Sequence, residues 1–255
     1  EVTLIERRPW CGGALRVASA GAGRAPLSAR GAWREEECRA LGGRIRTGTR
    51  VSARQALSFA GEVVLATGGR PGDRPYAAVA GAPVVDAASL LEARLSAGPD
   101  PLKPGPVAVW DPIGGPIAVS VAELLAAEGR TVHLLTPDLI AGNELSRTGD
   151  LAPANGRLQG AGVVIGRRTL LRRVTRSRVE IEDRFSGAPG VIDVGVVVDA
   201  GYRLPDDELW RATGGRLTRV GDAVAPRGVY EAVLEGRRAA LALSGAGAAA
   251  MAEAG

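Results

Sequence analysis

The sequence predicts an α/β fold of two nested Rossmann-like, three-layer domains, the first truncated at its N-terminus. Three observations point there. Short apolar runs bounded by Gly and Asp alternate with longer helical patterns, as in a parallel sheet covered by helices. Several of those runs are apolar almost throughout, as strands buried on both faces must be. Four prolines in the eleven residues Ser96 to Pro106 then interrupt the chain just before a fresh strand, Gly turn, helix and second strand.

In chain order, strands are expected at Val2–Glu6, Glu62–Ala66, Val107–Asp111, Thr131–Thr136, Val163–Ile165 and Val194–Asp199. Helical spacing marks Arg30–Leu41, Ile117–Glu128, Asp150–Gln159 and Gly228–Leu243, the last with Val229, Val233, Leu234, Ala239 and Leu241 on or near one stripe. Between Thr169 and Val198 the pieces Leu170-Leu171, Val179–Ile181 and Val191–Asp193 read as a small antiparallel meander. The expected domains are therefore 1–104, a first nucleotide-binding segment; 105–200, an inserted NAD(P)-binding-like domain; 201–243, the return of the first domain; and 244–255, a flexible Ala/Gly-rich tail.

Composition narrows the function. The 255 residues are 45% hydrophobic and 24% charged, a globular balance, and no apolar run approaches the ~20 residues of a membrane helix. The net charge is +4, and Lys103 is the only lysine among 32 basic residues. These charges are scattered among acids, which fits a solvated surface and argues against a nucleic-acid partner. Cys11 and Cys38 lack CxxC spacing, so no metal or iron–sulfur site is expected within the chain, and a reducing cytoplasm suits two isolated thiols. Met251 is the only methionine, and the chain opens directly on a strand, so it reads as a fragment.

Three motifs carry possible chemistry. Glu6 ends the opening strand, where an acid can accept hydrogen bonds from a ribose diol. Alone it is an ordinary surface acid; the following Arg7-Arg8-Pro9-Trp10-Cys11-Gly12-Gly13 adds a loop whose glycines let backbone amides approach an anion. The second motif, Ala66-Thr67-Gly68-Gly69 after a buried strand, lets the backbone turn closely beneath a flat ligand. The third, Gly221-Asp222 through Arg227-Gly228, presents a carboxylate to polyol hydroxyls and a helix start to phosphate.

These strings, with Asp111-Pro112-Ile113-Gly114-Gly115-Pro116, Gly149–Asn155 and Glu231–Arg237, resemble the C-terminal half of the 2,4-dienoyl-CoA reductase and trimethylamine dehydrogenase branch of the Old Yellow Enzyme family, most of all its mycofactocin-associated members. The resemblance covers nearly the whole chain. It implies that Glu6 and Arg7 meet the adenosine end of FAD or ADP, Gly12 and Gly13 its pyrophosphate, Ala66 to Gly69 the nucleotide, and Asp222 and Arg227 the ribityl region. It also implies an N-terminal barrel with FMN and a 4Fe-4S cluster outside this sequence, reached by electrons from NAD(P)H, where an activated C=C bond is reduced or an amine oxidised. The alternative is a non-catalytic module that holds ADP or FAD. Partners would be the nucleotides, that barrel, and a second copy of the chain in a homo-oligomer.

In the inserted domain the expected Gly-x-Gly-x-x-Gly turn reads Asp111-Pro112-Ile113-Gly114-Gly115-Pro116. Gly114 and Gly115 stay candidates for a nicotinamide nucleotide, but two prolines delete donors and Asp111 brings a negative charge. The second reading of this domain is a scaffold. His133 falls inside a strand and is expected to pack rather than act as a base; Trp10, Trp33, Trp110 and Trp210 are too dispersed for a stacking platform.

Overall fold

The computed structural model describes residues 1–96 and 99–253. The chain divides into two compact units: unit 1 holds Glu1–Gly13, Trp33–Pro71 and the chain from Arg203, and unit 2 holds Ala14–Ala32 and Gly72–Tyr202. The α/β class stands, with parallel pairing in both units.

Unit 1 begins with β1 (Thr3–Ile5). Helices α1 (Gly13–Ala18) and α2 (Pro26–Ala40) follow, and then β2 (Arg44–Arg46), which pairs with β1 in parallel, Thr3 opposite Arg44 and Ile5 opposite Arg46. Residues 14–32 group with unit 2 for a packing reason: a Cβ at Gly21 would lie 2.6 Å from the Ser120 hydroxyl oxygen, and the Ala22 N–H donates to the Ser120 carbonyl. Helix α3 (Ala53–Ser58) starts on a capping box, in which the Ser52 hydroxyl accepts from the Gln55 N–H and the Gln55 side chain accepts from the Ser52 N–H. Two short strands close this segment, β3 (Val64–Leu65) and β4 (Gly69–Pro71).

Unit 2 runs through β5 (Ala77–Ala78), β6 (Val84–Asp86), α4 (Ala87–Leu95), β7 (Val107–Trp110), α5 (Pro116–Ala127), β8 (Val132–Leu135), a 3-10 turn at Asn143–Thr148 and α6 (Leu151–Gly160). It ends with β9 (Val164–Gly166), β10 (Thr169–Val174), β11 (Arg178–Asp183), β12 (Pro189–Asp193) and β13 (Val196–Asp199). Its central sheet is parallel throughout, in the order β6-β13-β7-β8-β9. A second sheet, β12-β11-β10-β5, contains the expected antiparallel meander. Alternation along each strand separates the layers. Ala108, Trp110, Leu135 and Val197 pack with Leu171, Val174 and Val179 of the meander, while Val107, Val109, Leu134 and Val198 are buried on the opposite face. Leu90, Leu91, Val119, Leu125 and Leu158 of α4, α5 and α6 are at most 1% exposed, which completes three layers.

The chain returns to unit 1 with β14 (Arg203–Pro205), antiparallel to β4, then α7 (Glu208–Ala212) and β15 (Thr218–Arg219), parallel to β3. A 3-10 turn at Gly221–Ala223 leads to α8 (Val229–Glu253).

Two expectations differ from this. The expected boundary at 104/105 moves to Pro71/Gly72, because β6 pairs with β13 in the unit 2 sheet and Leu90 and Leu91 of α4 are buried. The proline-rich stretch connects two elements of one unit instead of two domains. The segment 244–255 is helical as far as Glu253 as part of α8, and residues 254 and 255 lie outside the described residues.

Candidate nucleotide site

Unit 1 gathers most of the candidate residues. The β1–β2 pairing fixes Glu6, whose N–H donates to the Arg46 carbonyl at 2.9 Å. The Glu6 Oε1 accepts from the Arg8 N–H at 2.8 Å, so the carboxylate closes the start of its own loop. That loop is held from the other side by the Gly48 N–H, which donates to the Arg8 carbonyl at 2.7 Å. Arg8 lies 5.1 Å from the centre of the Trp10 ring, a cation–π distance. Gly12 and Gly13 have φ of 107° and 48°, conformations that side chains resist, and a Cβ on Gly13 would meet nothing within 4 Å.

Asp206, which no sequence motif indicated, ties two of the motifs together. Its carboxylate pairs with Arg7 at 3.5 Å, and its carbonyl accepts from the Thr67 hydroxyl at 2.6 Å. The Asp206 N–H in turn donates to the Gly68 carbonyl. Gly68 has φ of 83° with open space where a Cβ would be. Gly69 is tighter: a Cβ there would sit 3.2 Å from both the Leu204 carbonyl and the Pro226 ring, so this glycine serves close packing within the unit. Ala66 precedes the turn as an exposed residue.

The third motif is organised by α8. Glu235 accepts from the Gly221 N–H at 2.7 Å and pairs with Arg227, and the Arg227 N–H donates to Asp222 Oδ1 at 3.1 Å. Glu231 accepts from the Gly228 N–H at 3.0 Å. Arg7 and Arg227, both expected to meet the cofactor, are thus held by carboxylates of this chain. Glu231 and Glu235 stand four residues apart at the helix start, a spacing that could have signalled their role; Asp206 sits in the short Asp206-Asp207 connection between β14 and α7, which carries no such signal.

Other expected features resolve locally. Burial pushes the Cys11 thiol up, with Glu35 and Glu6 adding to the effect, which disfavours the thiolate. His133 lies in β8 and its ring is driven towards the neutral form by burial. Among the described residues no group of three or more His, Cys, Asp or Glu could hold a metal ion, and no helix is long and apolar enough to cross a membrane.

Gly114 and Gly115 belong to unit 2, where the turn after β7 is filled from within. Asp111 is 1% exposed, and its Oδ1 accepts from the Gly114 N–H at 2.8 Å and the Ile113 N–H at 3.3 Å. Burial holds its carboxyl up at about 6, against the lowering effect of the turn amides. A Cβ on Gly114 would lie 2.9 Å from Asp138 Oδ2 and 3.1 Å from the Asn143 nitrogen. The residues here do not fit a dinucleotide pyrophosphate. In unit 1 they do fit an adenine nucleotide: a strand-end acid, two positive-φ glycines and an open Gly68 turn are present together.

No family model matches this chain. A metal reductase from Desulforamulus reducens is 26% identical over 270 residues, spanning 91% of this chain and 39% of that protein. Among solved structures, histamine dehydrogenase from Rhizobium sp. 4-9 superposes with a TM-score of 0.85 at 21% identity, covering 94% of this chain and 39% of its own. The HisD amine oxidase from Pseudomonas geniculata N1, which acts on 6-hydroxypseudooxynicotine, gives 0.82 at 22% identity, over 93% and 37%. The chain spans about two-fifths of the length of these relatives. At these identities the likeness establishes architecture: this chain has the two-unit α/β, Rossmann-like fold found within histamine dehydrogenase and HisD.

Proposed function

We propose that unit 1 holds the ADP moiety of FAD, or ADP itself, and that the chain is the nucleotide-holding module of a larger flavin-dependent oxidoreductase of the Old Yellow Enzyme type. The observation that carries this reading is the shared scaffold of unit 1, in which Asp206 binds Arg7 on the Glu6 loop and Thr67 on the Gly68 turn. Both open glycine turns are thereby fixed within one unit. Glu6 would accept from the adenosine ribose, the Gly12 and Gly13 amides would face the pyrophosphate, the Thr67–Gly69 backbone would line the nucleotide, and Asp222 would meet the ribityl hydroxyls. Bound FAD would supply two-electron chemistry, directed to an FMN and iron–sulfur barrel elsewhere in the enzyme, where an activated C=C bond is reduced or an amine oxidised. The relatives' names, a metal reductase, a dehydrogenase and an amine oxidase, support redox chemistry.

One observation favours a second reading, in which the nucleotide is held without electron input from NAD(P)H: the unit 2 turn is filled by its own Asp111. Both readings require the ribose contact. Calorimetry with ADP and its 2′,3′-dideoxy analogue tests it. Wild type should prefer ADP about tenfold or more, the worth of hydrogen bonds to a carboxylate, and Glu6→Ala should lose that preference. Equal binding of the two ligands by wild type would contradict the assignment.

A further inference from the structure

The carboxyl ends of the central unit 2 strands are where an open α/β sheet of this kind binds its ligand. Here β7 is followed by Asp111, β8 by Thr136-Pro137-Asp138, and β13 ends in Asp199. Asp111 is turned back into the start of α5, where its Oδ1 takes the Ile113 and Gly114 N–H groups. Pro116, the first residue of α5, has no N–H to offer, and Gly115 supplies no side-chain cap. The donors of this glycine turn are therefore engaged or missing before any ligand arrives. Space is closed as well. The Glu144 N–H donates to the Gly114 carbonyl at 2.9 Å, which draws the 139–144 loop over the turn and places Asp138 and Asn143 against Gly114. Asp199 is 8% exposed and is held by the Tyr76 hydroxyl at 2.6 Å and the Gly201 N–H at 2.8 Å, so it too is a fixed part of the unit.

We infer that Asp111 stands in for the phosphate of a dinucleotide, and that unit 2 keeps the Rossmann-like architecture without taking NAD(H), NADP(H) or another pyrophosphate-bearing ligand at the Gly114–Gly115 turn. A ligand would have to displace an internal carboxylate that lies on the same chain and thus competes at very high effective concentration. It would also bring its own negative charge beside Asp111 and Asp138 in a water-poor site, where repulsion is poorly screened. The Gly115 N–H also serves the Asp111 carboxyl, and the Asp111 Oδ2 is buried with no hydrogen-bond partner among the described residues, so the turn holds no spare donor beside it.

The inference does not depend on the unit 1 reading, and one experiment separates them. The full chain, labelled with nitrogen-15, is titrated with ADP, then NADH, then NADPH, while the amide signals of Gly114, Gly115, Gly12 and Gly13 are followed. Gly114 and Gly115 should stay in place with all three nucleotides, yet move with pH as Asp111 titrates, and that pH response should vanish in Asp111→Asn. A saturable shift of Gly114 or Gly115 on adding NADH or NADPH overturns the inference, as does a Gly114 signal in wild type that ignores the protonation of Asp111. Unmoved Gly12 and Gly13 signals on adding ADP would sink the proposed function and leave this inference intact.

Discussion

The two units begin from the same local device, a strand that runs into an acid and then a glycine turn, and finish differently. In unit 2 all four residues of β7 and all four of β13 are buried, and helices and a meander cover both faces of the sheet. In unit 1 the paired strands are two or three residues long, Thr3 and Leu4 of β1 are exposed, and the buried hydrophobic residues among those described are Ala56, Leu65, Val220 and Ala223. The acids follow the same division. Asp111 is sealed in and spends its oxygen on the glycine amides of its own turn, whereas Glu6 is half-exposed, accepts from the Arg8 N–H ahead of the glycines, and leaves open space at Gly13. On the proposed reading, a glycine turn serves a ligand where the fold leaves its amides and the space above them uncommitted.

The largest consequence is for stability. Leu134→Ala, at a fully buried position of β8, should cost roughly 2–5 kcal/mol, while Leu4→Ala in β1, 42% exposed, should cost well under about 1 kcal/mol. Urea unfolding midpoints would check the pair, and equal costs would erase the contrast between the units.

Asp111 gives the next effect, and its sign follows from protons. Its folded-state value of about 6 lies above the ordinary 3.8, so between those values the native chain holds more protons than the unfolded one. Stability therefore falls as pH rises through that window, by up to about 3 kcal/mol. Asp111→Asn should raise the melting temperature at pH 8 and change it little at pH 3. A loss of stability at pH 8 would mean that the charge itself holds the turn.

Much of unit 2 was legible because strands buried on both faces must be apolar throughout: Val107–Trp110 and Val196–Asp199 emerge within two residues of the expected bounds. Unit 1 was harder to read for physical reasons. β2 is Arg-Ile-Arg, which looks like surface, and its pairing with β1 is a long-range event that local pattern does not encode. The Ser52–Gln55 capping box of α3 was a readable signal that the apolar pattern overshadowed. Prolines between 96 and 106 mimicked a domain boundary, although the fold uses them inside unit 2. At the candidate site the backbone motifs could be read from their glycines, and the Glu231 and Glu235 spacing was a local signal; Asp206, whose main-chain carbonyl meets Thr67 across 139 residues of chain, left none.

Smaller effects sharpen the picture of unit 1. The bonds from Arg227 and from the Gly221 N–H hold the Glu235 carboxyl below its usual range, so its contribution is complete above that range and is lost as pH falls through it. Glu235→Ala should speed hydrogen exchange at Gly221 at pH 7 and abolish its acid dependence; unchanged exchange would remove Glu235 from the organisation of this turn. Smallest of all, Arg172→Ala breaks an exposed pair with Glu182 on the meander and should leave the unfolding midpoint of unit 2 where it was.

Hydrogen exchange by mass spectrometry on the full chain, with and without ADP, tests the division between the units most directly. Slower exchange over Glu6–Gly13 and Ala66–Gly69, with Asp111–Pro116 unchanged, is the predicted result. Protection of Asp111–Pro116 by ADP, or no protection anywhere in unit 1, would contradict it.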